Sequence, residues 1–136
     1  MRKCLSLLFT AFAVLISSCT RPDVVPEGFL MDDCVRLEMN GKDLFRYNED
    51  RCQLYFNRNA HGFGAHTDTM SDYFFLRLDG IPSGMDEELI GFLRWTTDRD
   101  EPSRDGITLR VVKLQGDKFW LWDYSGRTGI VIRVLE

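Results

Sequence analysis

Apolar and polar residues alternate with a period of two along most of this chain, the spacing of a strand with one buried face. Val35, Leu37 and Met39 alternate with Arg36 and Glu38, Asn40-Gly41 interrupts, and Lys42–Tyr47 resumes. Asn-Gly between two such runs predicts a hairpin tip, because both residues tolerate the positive φ of a type I′ turn. Asn48–Arg51 reads as a second turn and Cys52–Asn57 as a third strand. The pattern then lapses from Asn57 to Asp72, a stretch with Gly62, Gly64 and both histidines, which reads as a long loop with a short strand at Phe63–His66. Tyr73–Asp79 returns to alternation, with Phe74, Leu76 and Leu78 on one face. Glu87–Thr97, Ile107–Leu114, Lys118–Tyr124 and Ile130–Leu135 follow, parted by Asp98–Gly106, Gly116-Asp117 and Ser125–Gly129. Their β-branched and aromatic content suits strands.

This predicts an all-β domain of about seven or eight strands with no convincing helix, an antiparallel meander forming a sandwich or a small closed barrel. A barrel removes exposed edges and suits the strand count. Lys118–Tyr124 departs from the one-sided pattern. Trp120, Trp122 and Tyr124 share one face and Phe119 and Leu121 the other, so it is apolar on both.

The first nineteen residues are patterned differently. Arg2 and Lys3 precede an apolar run from Leu5 to Ile16. The run is too short to span a bilayer, which takes roughly 20 residues in a helix. A basic start, a short apolar middle and small residues at a cleavage point describe a secretory leader. Ile16-Ser17-Ser18-Cys19 resembles the lipobox of bacterial lipoproteins, and the chain as a whole resembles small all-β envelope lipoproteins of Gram-negative bacteria. The resemblance implies removal of residues 1–18, acylation of Cys19, a lipidated tether over 19–32 and a single β domain over 33–136. One acyl chain binds a membrane only marginally, at about 0.8 kcal/mol per buried methylene, so the two or three chains of the family give stable anchoring. Thr20, where an Asp would favour inner-membrane retention, implies the outer membrane; no tight acidic cluster follows Cys19 to mark surface export, which favours the periplasmic side over the surface without deciding between them.

That reading sorts the charges and the cysteines. Without Arg2 and Lys3 the basic count falls from 17 to 15 against 21 acids, leaving −6. No cluster of cations suggests nucleic-acid binding, which needs one to neutralise phosphates. Cys4 leaves with the leader, so Cys34 and Cys52 remain in an oxidising compartment and are candidates for a disulfide. It would close a loop of about 18 residues and contribute about 3 kcal/mol. Geometry argues against it if three successive strands pair in order. The cysteines then flank the second strand about 9–10 Å apart, whereas the bond needs Cα atoms within about 7 Å. Residues 20–32 carry Pro22, Pro26 and Gly28 and read as a tether, reaching at most about 45 Å when extended. Val24, Val25, Phe29 and Leu30 are apolar enough for its later half to pack on the domain.

Candidate chemistry is sparse. His61 and His66, near Asp68 and Asp72, offer zinc-type ligands, but His-x4-His with intervening glycines fits no metalloprotease helix. Asp98, Asp100, Glu101 and Asp105 are interleaved with Arg99 and Arg104 and read as a solvated loop rather than a calcium site. No nucleophile elbow, phosphate loop or Ser-His-acid set is present. The expected protein is therefore a non-enzymatic, cofactor-free envelope module, held to the membrane by its N-terminal lipid and binding a partner protein or small ligand. Two alternatives stand beside it. One is a glycan-binding module using Trp95, Trp120, Trp122 and Tyr124 as a platform, since flat aromatic faces stack on sugar rings. The other is a hydrolase inhibitor presenting Asn57–Asp72 as a wedge.

Overall fold

The computed structural model describes residues 24–135. The leader, Cys19 and the first part of the tether lie outside the described residues. One short helix, α1 (Glu27–Leu30), precedes nine strands: β1 (Val35–Met39), β2 (Lys42–Tyr47), β3 (Gln53–Asn57), β4 (Gly62–His66), β5 (Tyr73–Leu78), β6 (Glu88–Trp95), β7 (Ser103–Gln115), β8 (Lys118–Asp123) and β9 (Thr128–Arg133). A 3-10 turn at Glu49–Arg51 joins β2 to β3. All nine strands form one sheet in the order β2-β1-β9-β8-β7-β6-β5-β4-β3, antiparallel throughout and curled into a half-barrel. The expected all-β meander is present, with nine strands rather than seven or eight. The strand most hidden in the sequence is β4, because Gly62 and Gly64 have no side chains to show alternation.

Asn40 and Gly41 have φ of 51° and 81°, so the first hairpin turns where expected. Its register is not the one a regular ladder gives. An irregularity at Leu37/Glu38 pairs Leu37 with Phe45 and Glu38 with Asp43, so Leu44 is the extra residue. Val35, rather than Cys34, therefore faces Tyr47. A bulge of this kind also sharpens local twist, which a sheet that curls needs.

The core lies inside the curl. Leu37, Phe63, Leu76, Leu93, Leu109, Val111, Leu121 and Ile130 are all fully buried there. The two edges, β2 and β3, are consecutive in the chain yet do not pair. Side chains bridge the region instead. The rings of Phe45 on β2 and Phe74 on β5 meet edge-on at 5.2 Å. The Tyr47 hydroxyl donates to Asp72 Oδ2 at 2.9 Å, and that bond, more than burial, raises the phenol's pKa.

Candidate functional site

The outer side of the sheet divides into two faces. On the first, β8, β9 and β1 lie beneath residues 24–33, which cross them as a strap. Phe29 of α1 is 1% exposed and packs against Trp122 with ring centroids 5.3 Å apart. Gly129 on β9 makes room for it: a Cβ there would stand 2.6 Å from Phe29 Cε1. Polar groups clip the strap just after that ring. Trp120 Nε1 donates to the Asp32 carbonyl at 3.2 Å. Lys113 Nζ donates to the Leu30 carbonyl at 2.5 Å while lying 4.4 Å from the Trp120 ring centre. Lys118, also beside Trp120, donates to the Asp33 carbonyl.

Asp32 is the junction of strap and sheet. Its carboxylate accepts from Arg36 at 3.0 Å and from Arg46 at 2.6 Å. Burial alone would raise its pKa, but the bonds from Arg46 and from the Cys34 N–H outweigh it and hold the carboxyl at about 2. Glu38, 3% exposed, shifts the other way: burial raises it against the pull of Arg36, 3.0 Å away.

These contacts bear directly on the alternative of an aromatic platform. Trp120 and Trp122 do share a face, as the alternation implies, but at 0% and 1% exposure they offer a ligand nothing. Tyr124 is half-buried against the same cluster, with Arg110 over its ring at 5.7 Å. Trp95 is on the opposite side of the sheet, packed against the inner core. The four residues therefore make no common surface. The hydrophobic strap explains why β8 is apolar on both sides.

His61 and His66 sit at opposite ends of β4, one before its first residue and one at its last. His66 Nδ1 lies 2.8 Å from the Thr67 carbonyl, and no group of three or more potential metal ligands occurs among the described residues. The stretch Asn57–Asp72 is no free wedge, because β4 within it pairs with β3 on one side and β5 on the other.

Cys34 and Cys52 are free and buried, so the expected disulfide is not formed in this structure. The premise of the strand-spacing argument against it also fails, since β3 does not lie beside β2. Both sulfurs instead point to Asn48: Cys34 Sγ at 3.3 Å from its side-chain oxygen and Cys52 Sγ at 3.7 Å from its carbonyl. Burial raises both thiol pKa values, with Asp32 adding to the effect at Cys34 and Glu49 at Cys52.

Among the described residues no strap crosses the second outer face, over β3–β6. Strand pairing lines up Tyr55, Gly64, Phe75 and Arg94 in one row across it, and Asn57, Gly62, Arg77 and Phe92 in the next. Tyr55 and Phe75 come within 5.8 Å, tilted by 51°. Gly64 is required by the backbone, and Gly62 relieves crowding under the rings. A Cβ at Gly62 would meet the two rings at 3.2 Å, and one at Gly64 would strike the Phe74 carbonyl at 2.4 Å. The two rings close over Gly62, and beside them lies a groove of about 580 Å³, lined among others by Tyr55, His66, Tyr73, Phe75 and Arg94. Alternation puts these side chains on the side away from the core, but it does not tell which outward face stays uncovered.

No family model matches the chain, and neither curated proteins nor solved structures yield a match.

Proposed function

We propose that this protein is a lipid-anchored module of the bacterial cell envelope, a non-enzymatic binding domain acylated at Cys19. The single observation that carries the reading is the leader, Arg2-Lys3, the apolar run and Ile16-Ser17-Ser18-Cys19. The strap sharpens what such an anchor would do. Val25 already packs on the outer cluster, so six peptide units separate it from Cys19. They reach at most about 21 Å at 3.5 Å per residue, half the span expected of a tether free to residue 32. The domain would be held close to the bilayer, with the strap side nearest the anchor.

The test is fractionation with mass spectrometry. The wild-type protein is expected in membranes, with an N-terminal mass increased by acyl chains. Cys19→Ala is expected in the soluble fraction. Wild-type material with an unmodified N-terminus would overturn the reading.

A further inference from the structure

The cations of the two outer faces are used differently. On the strap side Arg36 and Arg46 are committed to carboxylates. On the open side Arg77 and Arg94 stack on one ring, Phe92, at 5.5 and 5.6 Å. Neither has an ion pair among the described residues, in a chain whose net charge is −4. An arginine held over an aromatic ring can still present N–H groups to a carboxylate or phosphate, whose geometry its planar fork matches. Arg94 also lines the groove beside Tyr55 and Phe75. Two neighbouring rings, Tyr55 and Phe75, and then Arg94 thus follow one another in a single row across three strand pairs.

We propose that this face binds an acidic saccharide: a sugar ring against Tyr55 and Phe75, its carboxylate on Arg94 and Arg77. The proposal deepens the envelope-module reading and rests on it for the kind of polymer the domain would meet. Flat aromatic faces suit the apolar C–H face of a pyranose. Glu101, which lines the same groove, supplies an acceptor for ring hydroxyls. A single-stranded nucleic acid would also stack on aromatics, but it needs a track of cations along its phosphates. Two arginines on an acidic domain supply one anionic subsite, not a track.

Calorimetry on the full chain in non-ionic detergent tests the proposal, with oligogalacturonate as the probe. Uncharged malto-oligosaccharide and an oligo-dT of similar length are the comparators. Oligogalacturonate is expected to bind, the neutral sugar and the oligonucleotide at least about tenfold more weakly. Arg94→Gln and Tyr55→Ala are each expected to weaken binding about tenfold, the scale of one charge-assisted hydrogen bond or one stacked ring. Lys42→Gln, at the distant β1–β2 tip, removes the same charge and should leave binding unchanged. Arg77→Gln replaces either variant whose melting curve shows a folding defect. Absent binding, equal binding of the neutral sugar, tighter binding of oligo-dT, or binding indifferent to all three face variants would overturn the proposal. Fractionation of Cys19→Ala reads the anchor separately, so the two ideas fail by different measurements.

Discussion

The two outer faces of this sheet start from similar material and end differently. Both carry aromatic rings, both have cations stacked on those rings, and both contain a glycine where a ring passes over the strand. On the β8–β9–β1 face the cations spend their remaining donors on the strap's carbonyls, and Trp120 and Trp122 vanish from the surface. On the β3–β6 face Arg77 and Arg94 make no ion pair among the described residues, and Tyr55 and Ile90 stay 40% and 54% exposed. A covered aromatic face contributes to stability. An uncovered one contributes little to stability and remains available for contact. The difference arises from where the chain begins its descent onto the sheet, not from the strands themselves.

The strongest test of that contrast removes one ring from each face. Phe29→Ala deletes a fully buried ring, and such changes cost about 3–5 kcal/mol. The melting temperature should fall by about 10 °C or more, and tryptophan emission should move to longer wavelength as Trp122 meets water. Tyr55→Ala, on an exposed edge-strand position, should cost less than about 1 kcal/mol and leave the emission unchanged. Equal losses at both positions would mean that the strap does not hold the fold.

Glycines sharpen the same comparison. Gly129→Ala drives a Cβ into Phe29 and Trp122, and overpacking of this kind costs about 1–3 kcal/mol. Gly64→Ala drives one into a backbone carbonyl of β5. The two differ in what can yield. A strap ring can leave its seat, whereas a paired strand cannot. In a double-mutant cycle with Phe29→Ala, the cost of Gly129→Ala should shrink by more than about 0.5 kcal/mol, the usual limit of simple additivity. The cost of Gly64→Ala should not change. Full additivity at Gly129 would show that Phe29 does not occupy that space.

Much of this architecture is legible in the amino-acid pattern. Alternation locates eight of the nine strands outright, and Asn40-Gly41 locates the tip of the first hairpin. Apolar Val25, Phe29 and Leu30 hint that the tether docks. Alternation, however, reports only that a side chain faces one way or the other. It does not say which strands become neighbours or which outward face another segment covers. That is why Trp120 and Trp122 read as core or, alternatively, as a platform, and the pattern does not show that what covers them is Phe29, about 90 residues away. The same blindness puts β3 beside β2 in a sequence reading, whereas these two edges never pair. The arginine-aromatic face is hidden for a related reason: Arg77 and Arg94 come together over Phe92 only after β5 and β6 pair in register.

Acid separates the two faces by electrostatics. The Asp32 carboxyl sits at about 2 against an ordinary 3.8, so the folded chain holds its charge more firmly than the unfolded chain does. Its contribution is complete above about pH 4 and is lost as pH falls through about 2. Glu38 has the opposite sign: its raised pKa makes the fold favour protonation, so its contribution grows as pH drops. Strap release should therefore appear as a red shift in tryptophan emission below about pH 4. Asp32→Asn should show part of that shift at neutral pH and a flatter acid limb. An acid limb identical to wild type would detach Asp32 from the strap.

The smallest expected effect is Ile90→Thr, on the open face. Ile90 is more than half exposed, and a change at such a position should alter stability by no more than about 0.5 kcal/mol. Its value lies in what a larger effect would mean. A side chain more than half open to water in the free chain can lose several times that amount only if something further covers it in solution. Melting curves of wild type and Ile90→Thr over a hundredfold range of protein concentration distinguish the cases, because self-association makes melting depend on concentration. Matching, concentration-independent curves keep this face open and the contrast intact. A concentration-dependent loss confined to the wild type would show that a second copy of the chain covers β3–β6, much as the strap covers β8–β9–β1.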